Sequence, residues 1–403
     1  MSATLEQSSN FSGSRADSPA LEVKIARSLA EVEEIREIWA AAKGHRDCDI
    51  DFCLNFVWSG REFIRPHVIV IYRHGRADAI LVGRLENVRI RPKIGYFALP
   101  AVRARLLNIV YGGMLGECSE ENSDEFVRGA IAALKRGEAD AVLFDRIPVN
   151  SAMYQKALAL PGVLMRDRVV RPEPHSSMTL PGTIDQVFTT LSSGLRAEVR
   201  RKKRKIVADF GDRAKISCYH DDSALDAVLP QVEEVAMKTY QRALGVGFEN
   251  SDRMRQRLRL CAREGWLRVY LLTIDDKPCA FWIGTVYDGV FYSDYNGYDP
   301  GYRDYSLGTF LLMSMVQDFC QQGVRAVDFG FGQAEYKDRF SNERGIMAPI
   351  YIFSRAPRGL FLNGTRTIAN AIDRTLRAML NRANLLPKIK KVWRARSAKS
   401  NVS

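Results

Sequence analysis

The sequence predicts a mixed α/β (α+β) chain built from two similar units, each a mostly antiparallel central sheet flanked by helices. Three observations carry this. First, HVIVIYRHGRADAILVGRLE (67–86) and LRVYLLTIDDKPCAFWIGTVYD (267–288) share one layout: apolar strand, tight polar turn, apolar strand. A shift of 201 places Gly83 on Gly284, Ala79 on Ala280 and Arg76 on Lys277. Second, each stretch is followed by a helical segment that runs into a short strand, EFVRGAIAALKRGEADAVLF and TFLLMSMVQDFCQQGVRAVDF. Such a repeat of supersecondary layout is the signature of a tandem duplication. Third, 403 residues with 46% hydrophobic and 26% charged side chains fit a folded chain of two domains, three at most.

Taken in order, residues 1–20 have no apolar run and read as a disordered leader rather than a secretory signal. Residues 21–180 form the first unit. Its Gly112-Gly113-Met114-Leu115-Gly116 precedes a helix, but Glu117, Glu120, Glu121, Asp124 and Glu125 follow and would repel a phosphate. A glycine-rich turn without nucleotide is expected there. Residues 181–357 form the second unit. Its basic helix LRAEVRRKKRKIVADFG is followed by a helix over 223–242 with Leu225, Val228, Leu229, Val232, Val235 and Ala236 on one face. Strands over 266–274 and 278–287 flank Asp275-Asp276-Lys277-Pro278, and Asp288-Gly289 is a two-residue hairpin turn that needs positive φ. The strand VFYSDYNGYD, the loop PGYRDYSLG, a helix to about Gln322, the strand AVDFG, EYKDRF and a last strand at 348–354 complete it.

The net charge of +12 is local. Arg355–Ser403 holds twelve Lys/Arg and one acid, Asp373; Arg196–Lys205 holds seven basic residues and one acid, Glu198; the remainder sums to −5. In the tail, 358–403, Ile368, Ile372, Leu376, Met379 and Leu380 recur at helical spacing, with Arg366, Arg374, Arg377 and Arg382 largely elsewhere and Pro387 ending the helix. The apolar face is expected to pack on the body; an anionic membrane surface or a synthase-like partner is the alternative. Basic residues in Arg196–Lys205 lack interleaved aromatics, so nucleic acid is not expected as a partner. No run of about 18 apolar residues occurs. Seven cysteines, an odd number without CxxC, argue for a reducing, cytoplasmic setting, peripheral at the inner membrane face if the tail binds lipid. His45, Cys48 and Cys53 match no zinc spacing, and no metal is expected.

Arg303-Asp304-Tyr305-Ser306-Leu307-Gly308-Thr309 lies directly after a strand and before a helix. The first-turn N–H groups of such a helix lack intrahelical acceptors and suit a pyrophosphate; Gly308 permits close approach and Arg303 supplies countercharge. Mid-strand Asp294 needs a purpose or a partner. Alternation puts it on one face with Tyr292 and Asn296. Asp328 is a third carboxylate, on another buried-looking strand, with simple pairing to a nearby Arg or Lys as the alternative reading. His175 and His220 fall near the junction of the units without an obvious Ser or Cys partner.

Arg303-x-x-Ser306-x-Gly308 resembles the Gln/Arg-x-x-Gly-x-Gly/Ala motif of the GNAT acyltransferase superfamily, with Ser in place of the first Gly. GYDPGYRDYSLGTFLL, DFGFGQAEYKDRF and the basic helix look closer to the CelD-like branch, associated with cellulose or exopolysaccharide biosynthesis and related to the FemAB peptidyltransferases. The resemblance covers 180–355 well and 21–180 loosely. It implies tandem GNAT-like units and transfer of an acyl group, acetyl first, from acyl-CoA to an amine or hydroxyl acceptor. Residues 303–309 would bind the CoA. Tyr336 would protonate the departing thiolate, or else pack its ring. Asp294 is the first candidate base and Glu335 the second, unless Glu335 is merely solvated. An aminoacyl-tRNA donor and a catalytically silent scaffold are the competing readings.

Overall fold

The computed structural model describes residues 21–382 apart from 92, 95, 96, 99, 240, 241 and 243–246. The expected leader and the segment 383–403 lie outside the described residues.

The first half runs β1 (Leu21–Ala26), α1 (Leu29–Glu34), α2 (Arg36–Ala41), α3 (Ile50–Asn55), β2 (Phe63–Pro66), β3 (Val68–Arg73), β4 (Arg76–Ile90), β5 (Lys93–Ile94), β6 (Phe97–Ala98), β7 (Val102–Gly116), α4 (Glu120–Lys135), β8 (Ala141–Pro148), α5 (Ala152–Ala159) and β9 (Glu173–Thr179). The second runs α6 (Ile184–Thr190), α7 (Ser193–Phe210), β10 (Ala214–Tyr219), α8 (Asp222–Met237), α9 (Asp252–Arg263), β11 (Leu267–Ile274), β12 (Lys277–Tyr287), β13 (Val290–Tyr298), α10 (Leu307–Gln321), β14 (Ala326–Phe331), α11 (Glu335–Phe340), β15 (Glu343–Phe353) and α12 (Pro357–Arg382). Local chemistry sets these boundaries. Ser119 caps α4 through the Asn122 N–H and Ser192 caps α7 through the Leu195 N–H. The turns His74-Gly75, Asp275-Asp276 and Asp288-Gly289 all take positive φ, as two-residue hairpins with right-handed twist require.

One 13-stranded, mostly antiparallel sheet runs through the molecule in the order β1-β3-β4-β7-β8-β15-β9-β14-β13-β12-β11-β10, with β2 on β4. The order reads alike from both ends. In each half an antiparallel meander ends in one parallel pair, β7 with β8 and β13 with β14, joined by a crossover helix, α4 or α10. The last strand of each half is exchanged. β9 pairs with β14 of the second half, and β15 pairs with β8 of the first. The two exchanged strands pair with each other at the centre. A boundary at 180/181 therefore divides the sequence but not the sheet, and the strand expected at 348–354 starts at Glu343 and completes the first half.

The duplication also appears at the glycines. Gly83 and Gly284 each mark a break in register, between β4 and β7 and between β12 and β13. A Cβ on Gly83 would lie 2.7 Å from Ile109 Cδ1; one on Gly284 would lie 2.2 Å from the Tyr292 carbonyl oxygen. The glycine-rich turn expected at 112–116 is instead the bulged end of strand β7, where Gly112 has φ +68.

Helices cover the sheet over several apolar clusters. Leu311, Met315, Val316 and Phe319 of α10 pack with Leu195, Val199 and Ile206 of α7 and with Phe291 and Val327 of the sheet. Phe126, Val127, Ala130 and Leu134 of α4 pack on Ile69, Leu81 and Phe144. The expectation for the tail helix is reversed. Leu362, Asn363, Ala369, Asn370 and Asp373 of α12 are buried, while Ile368, Ile372, Leu376 and Met379 are exposed. Polar anchors decide the orientation: Arg366 bonds Asp167, and Asn363 donates to the Leu164 and Arg166 carbonyls.

Gly284→Ala should cost about 1–3 kcal/mol in denaturant unfolding, because the new methyl meets backbone that cannot yield. Gly364→Ala in α12, with nothing within 4 Å of the added atom, should leave stability unchanged or raise it by up to about 1 kcal/mol.

Candidate active site

β13 and β14 pair only from Val290–Tyr292 to Ala326–Asp328. Beyond that they part. β14 shifts register against β9 after Asp328, and β13 carries an extra residue, Asp294, opposite the Ile283–Gly284 step. A cleft of about 560 Å³ opens between them. Because α10 is the crossover from β13 to β14, its N-terminus stands at the end where the strands part, the usual ligand end of a parallel pair. The corresponding β7/β8 pair of the first half also parts, after Ile109 and Phe144, beside a second cleft of about 460 Å³. Tyr111 and Arg146 line both.

The bulge corrects the expected facing. Register puts Ser293 and Asn296 with Trp282 on one face, and Tyr292 and Tyr295 with Thr285 on the other. Tyr292 and Asn296 thus do not share a face. On the first face, Trp282 Nε1 donates to Ser293 Oγ at 2.7 Å and Asn296 Nδ2 donates to Tyr336 Oη at 3.1 Å. The Tyr336 ring meets Trp282 and Phe329 edge-on, each with centroids at 5.7 Å. Tyr336 thus packs its ring between Trp282 and Phe329 and also lines the cleft.

Asp294 faces the other way. It is bonded by both terminal nitrogens of Arg46, from the first half, and by Arg257 Nη2 at 2.9 Å. Arg46 also donates to Thr285 Oγ1 at 2.5 Å. The three charged side chains are 9–14% exposed. Burial alone would raise the Asp294 pKa, but Arg257 and Arg46 pull it down to about 2. A carboxylate held ionised by two guanidinium groups is a poor proton acceptor, and its bonds to Arg46 and Arg257 clamp the first half to β13. Glu335 has a side chain 87% exposed, 3.8 Å from Arg339, and does not line the cleft. It is the solvated start of a helical turn.

The cleft holds another pair. Asp328 is bound not to Arg or Lys but to His175 Nε2, at 2.9 Å. His175 comes from exchanged strand β9, register-paired beside β14, and both side chains are 12–13% exposed. Strand alternation alone could not find this contact, because 153 residues separate the partners. His45 was also missed as a cleft residue. It sits edge-on between Tyr111 and Tyr292, centroids at 4.4 and 4.5 Å, and its Nδ1 accepts the Asp47 N–H. Burial lowers its pKa, against the pull of Asp47. A neutral ring bonded in this way carries its proton on Nε2. Lys337 Nζ donates to the Phe331 carbonyl at 2.6 Å; burial lowers its pKa, opposed by Asp328.

At the expected phosphate loop, Asp299 caps a short 3-10 turn over Pro300–Tyr305. Ser306 takes the left-handed conformation, φ +54 and ψ +48, which glycine adopts without cost and which costs Ser about 1–2 kcal/mol. Thr309 and Phe310 donate to the Ser306 carbonyl, while the N–H groups of Leu307 and Gly308 have no acceptor among the described residues. Lys202 of the basic helix α7 donates to the Asp304 carbonyl at 2.5 Å, and Lys205 stands over the Tyr305 ring at 4.4 Å. The Arg303 side chain is 82% exposed, beside Asp304. Open donors at a helix N-terminus with Lys202 against the loop fit an anionic phosphate group. Burial raises the pKa of Cys48, Cys53 and Cys261, which are inert core thiols. Among the described residues no group of three or more His, Cys, Asp or Glu is arranged for a metal ion.

Arg46→Met leaves Asp294 with one guanidinium and should destabilise the protein by about 3–5 kcal/mol in denaturant unfolding. The depressed Asp294 pKa stabilises the fold above the ordinary carboxylate pKa. That contribution should fade as pH falls from about 4 towards about 2, and Asp294→Asn should flatten this part of an unfolding-midpoint-against-pH curve.

Residues 193–338 match the family described as Acetyltransferase (GNAT) domain. The chain matches none of the curated proteins. Among solved structures it is similar to FemX, with 12% identity, 78% of this chain and 95% of that chain covered, and a TM-score of 0.54. It is also similar to a conserved protein of unknown function from Bacteroides thetaiotaomicron VPI-5482, with 11% identity, coverage of 82% and 100%, and a TM-score of 0.50. At such identities these likenesses show the fold alone. The matched segment 193–338 carries α7, the phosphate-type loop and Tyr336.

Proposed function

We propose that the protein transfers an acyl group from acyl-CoA to an amine or hydroxyl acceptor in the cleft between β13 and β14. The observation that carries this reading is the cleft where these strands part, lined by Tyr336 and the His175–Asp328 pair, with the open N-terminus of α10 following β13 at the same end of the sheet. The N–H groups of Leu307 and Gly308, with Lys202 and Arg303 nearby, bind the pyrophosphate of the donor, and Ser306 to Thr309 form the turn around it. Asp304 and Tyr305 hold that turn against α7, through Lys202 and through the bond from Tyr305 Oη to Asp209.

The acceptor nitrogen or oxygen attacks the thioester carbonyl carbon. A new C–N or C–O bond forms and the C–S bond breaks. Asp328 orients His175, whose Nδ1 has no hydrogen-bond partner among the described residues and takes the acceptor proton. Tyr336, held by Asn296, gives its proton to the departing thiolate, whose parent pKa is about 8.5. His45 Nε2–H and Arg146 approach from the first half and face the acceptor side. This replaces Asp294 and Glu335 with His175 as base and keeps Tyr336 as acid.

Likeness of GYDPGYRDYSLGTFLL and DFGFGQAEYKDRF to the CelD-like branch supports a polysaccharide or cell-envelope acceptor. An aminoacyl-tRNA donor is the second reading. It is favoured by the seven basic residues of α7, of which Lys202 and Lys205 touch the phosphate-type loop, and disfavoured by the lack of aromatics among them. A silent scaffold is the third.

Thermal unfolding with acetyl-CoA, CoA and bulk tRNA separates these readings. At about 100 times its dissociation constant, a CoA species should stabilise the protein by roughly 2.7 kcal/mol, an effect that Gly308→Trp removes. A shift with tRNA alone moves the donor to aminoacyl-tRNA, and no shift with any of the three favours the scaffold. In an acyl-transfer assay His175→Gln should lower kcat by about 10²- to 10⁴-fold at neutral pH while CoA still binds. An unchanged rate would remove His175 as base.

A further inference from the structure

We propose that the outward face of α12 docks the protein on an anionic lipid surface, with the helix lying along the surface rather than crossing it. The helix is held to the body by its polar side. Asn363 donates to the Leu164 and Arg166 carbonyls at 3.0 and 3.1 Å. Arg366 bonds Asp167 at 3.2 Å and covers the Tyr351 ring at 4.2 Å. Asp373, buried, faces Arg171 at 3.5 Å. This attachment turns the apolar side out. Phe361, Ile368, Ile372, Leu376 and Met379 are 42–61% exposed, and their steps of seven, four, four and three residues place them on one stripe. Five large apolar side chains in a row on a helix already anchored by its other face have no packing role on the body.

Charge names the occupant. Asp373 is the one acid between Arg355 and Ser403, and it is taken up on the inward face. Arg358 is exposed at the edge of the stripe, Arg374 is exposed elsewhere on the helix, and the sequence after Arg382 adds six Lys/Arg, one Trp and no acid. An apolar stripe on a helix with exposed cations and no exposed acid is complementary to acyl chains beneath anionic headgroups. A second copy would instead bring the same cationic border opposite itself in a two-fold contact. No described helix is long and apolar enough to span a bilayer, so a surface position is the one this helix can take.

Flotation of the full chain with vesicles tests this. The protein should float with phosphatidylcholine vesicles containing phosphatidylglycerol, much less with phosphatidylcholine alone, and less at high salt. Ile368→Glu with Ile372→Glu, both at exposed positions, should weaken binding by about tenfold or more without moving the melting temperature. Three results would overturn the proposal. One is no flotation with the anionic vesicles. Another is equal flotation of the double variant, which would give the lipid contact to residues 383–403. The third is self-association of the wild-type chain that the double variant abolishes while lipid binding is absent.

Discussion

The reciprocal exchange of β9 and β15 is the constraint on which the rest of the structure depends. Each half lacks its last strand until the other supplies it, and the two exchanged strands then pair with each other to make one continuous sheet. The candidate site follows from this. β9 brings His175 beside Asp328, and β15 follows directly after the short helix that carries Tyr336. A site assembled from one half alone would keep the phosphate-type loop and lose the histidine. Joining the halves by backbone hydrogen bonds also fixes their relative position more rigidly than side-chain packing between separate domains would.

Electrostatics then finishes what the strands begin. The extra residue at Asp294 puts a carboxylate on the side of β13 opposite Trp282 and Asn296, where Arg46 of the first half meets it at the cleft wall. Removing these groups from water is costly, and only near-complete pairing offsets that cost. Asp294 receives two nitrogens from Arg46 and one from Arg257, and Arg46 is further bonded to Thr285, which leaves only its Nε without a hydrogen bond, 3.4 Å from Asp47. The same loop places His45 between Tyr111 and Tyr292, and Tyr287 Oη bonds Asp49 a few residues on. Residues 45–49 are thereby tied to the second half at several points.

Much of the fold is legible because it is written in local chemistry. Asp288-Gly289 specifies a tight hairpin wherever it falls between apolar strands, and alternating or continuous apolar runs define β11 and β12. Gly83 and Gly284 align in the repeat because both occupy points where backbone passes too close for a side chain. What is not legible is non-local. Nothing in the sequence of 343–353 says which half its hydrogen bonds will serve. Alternation mispredicts the face of Asn296 because one bulge reverses the phase of everything after it. Asp328 calls for a cation, but only the strand exchange makes that partner a histidine. Periodicity in α12 finds the apolar stripe correctly, yet periodicity has no sign. Whether the stripe faces in or out was settled by Asn363, Arg366 and Asp373, whose partners lie far away in the chain.

Strand exchange also bears on how the protein is made. When β8 leaves the ribosome its outer edge has no partner, and the strand that will cover it, β15, is not synthesised until residues 149–342 have followed. Throughout that interval the nascent chain carries an open, apolar sheet edge, the kind of surface that invites pairing with another copy. A stalled or truncated polypeptide would stay in that state. Chaperone protection during elongation is therefore expected to matter more for this chain than for one whose two halves close independently.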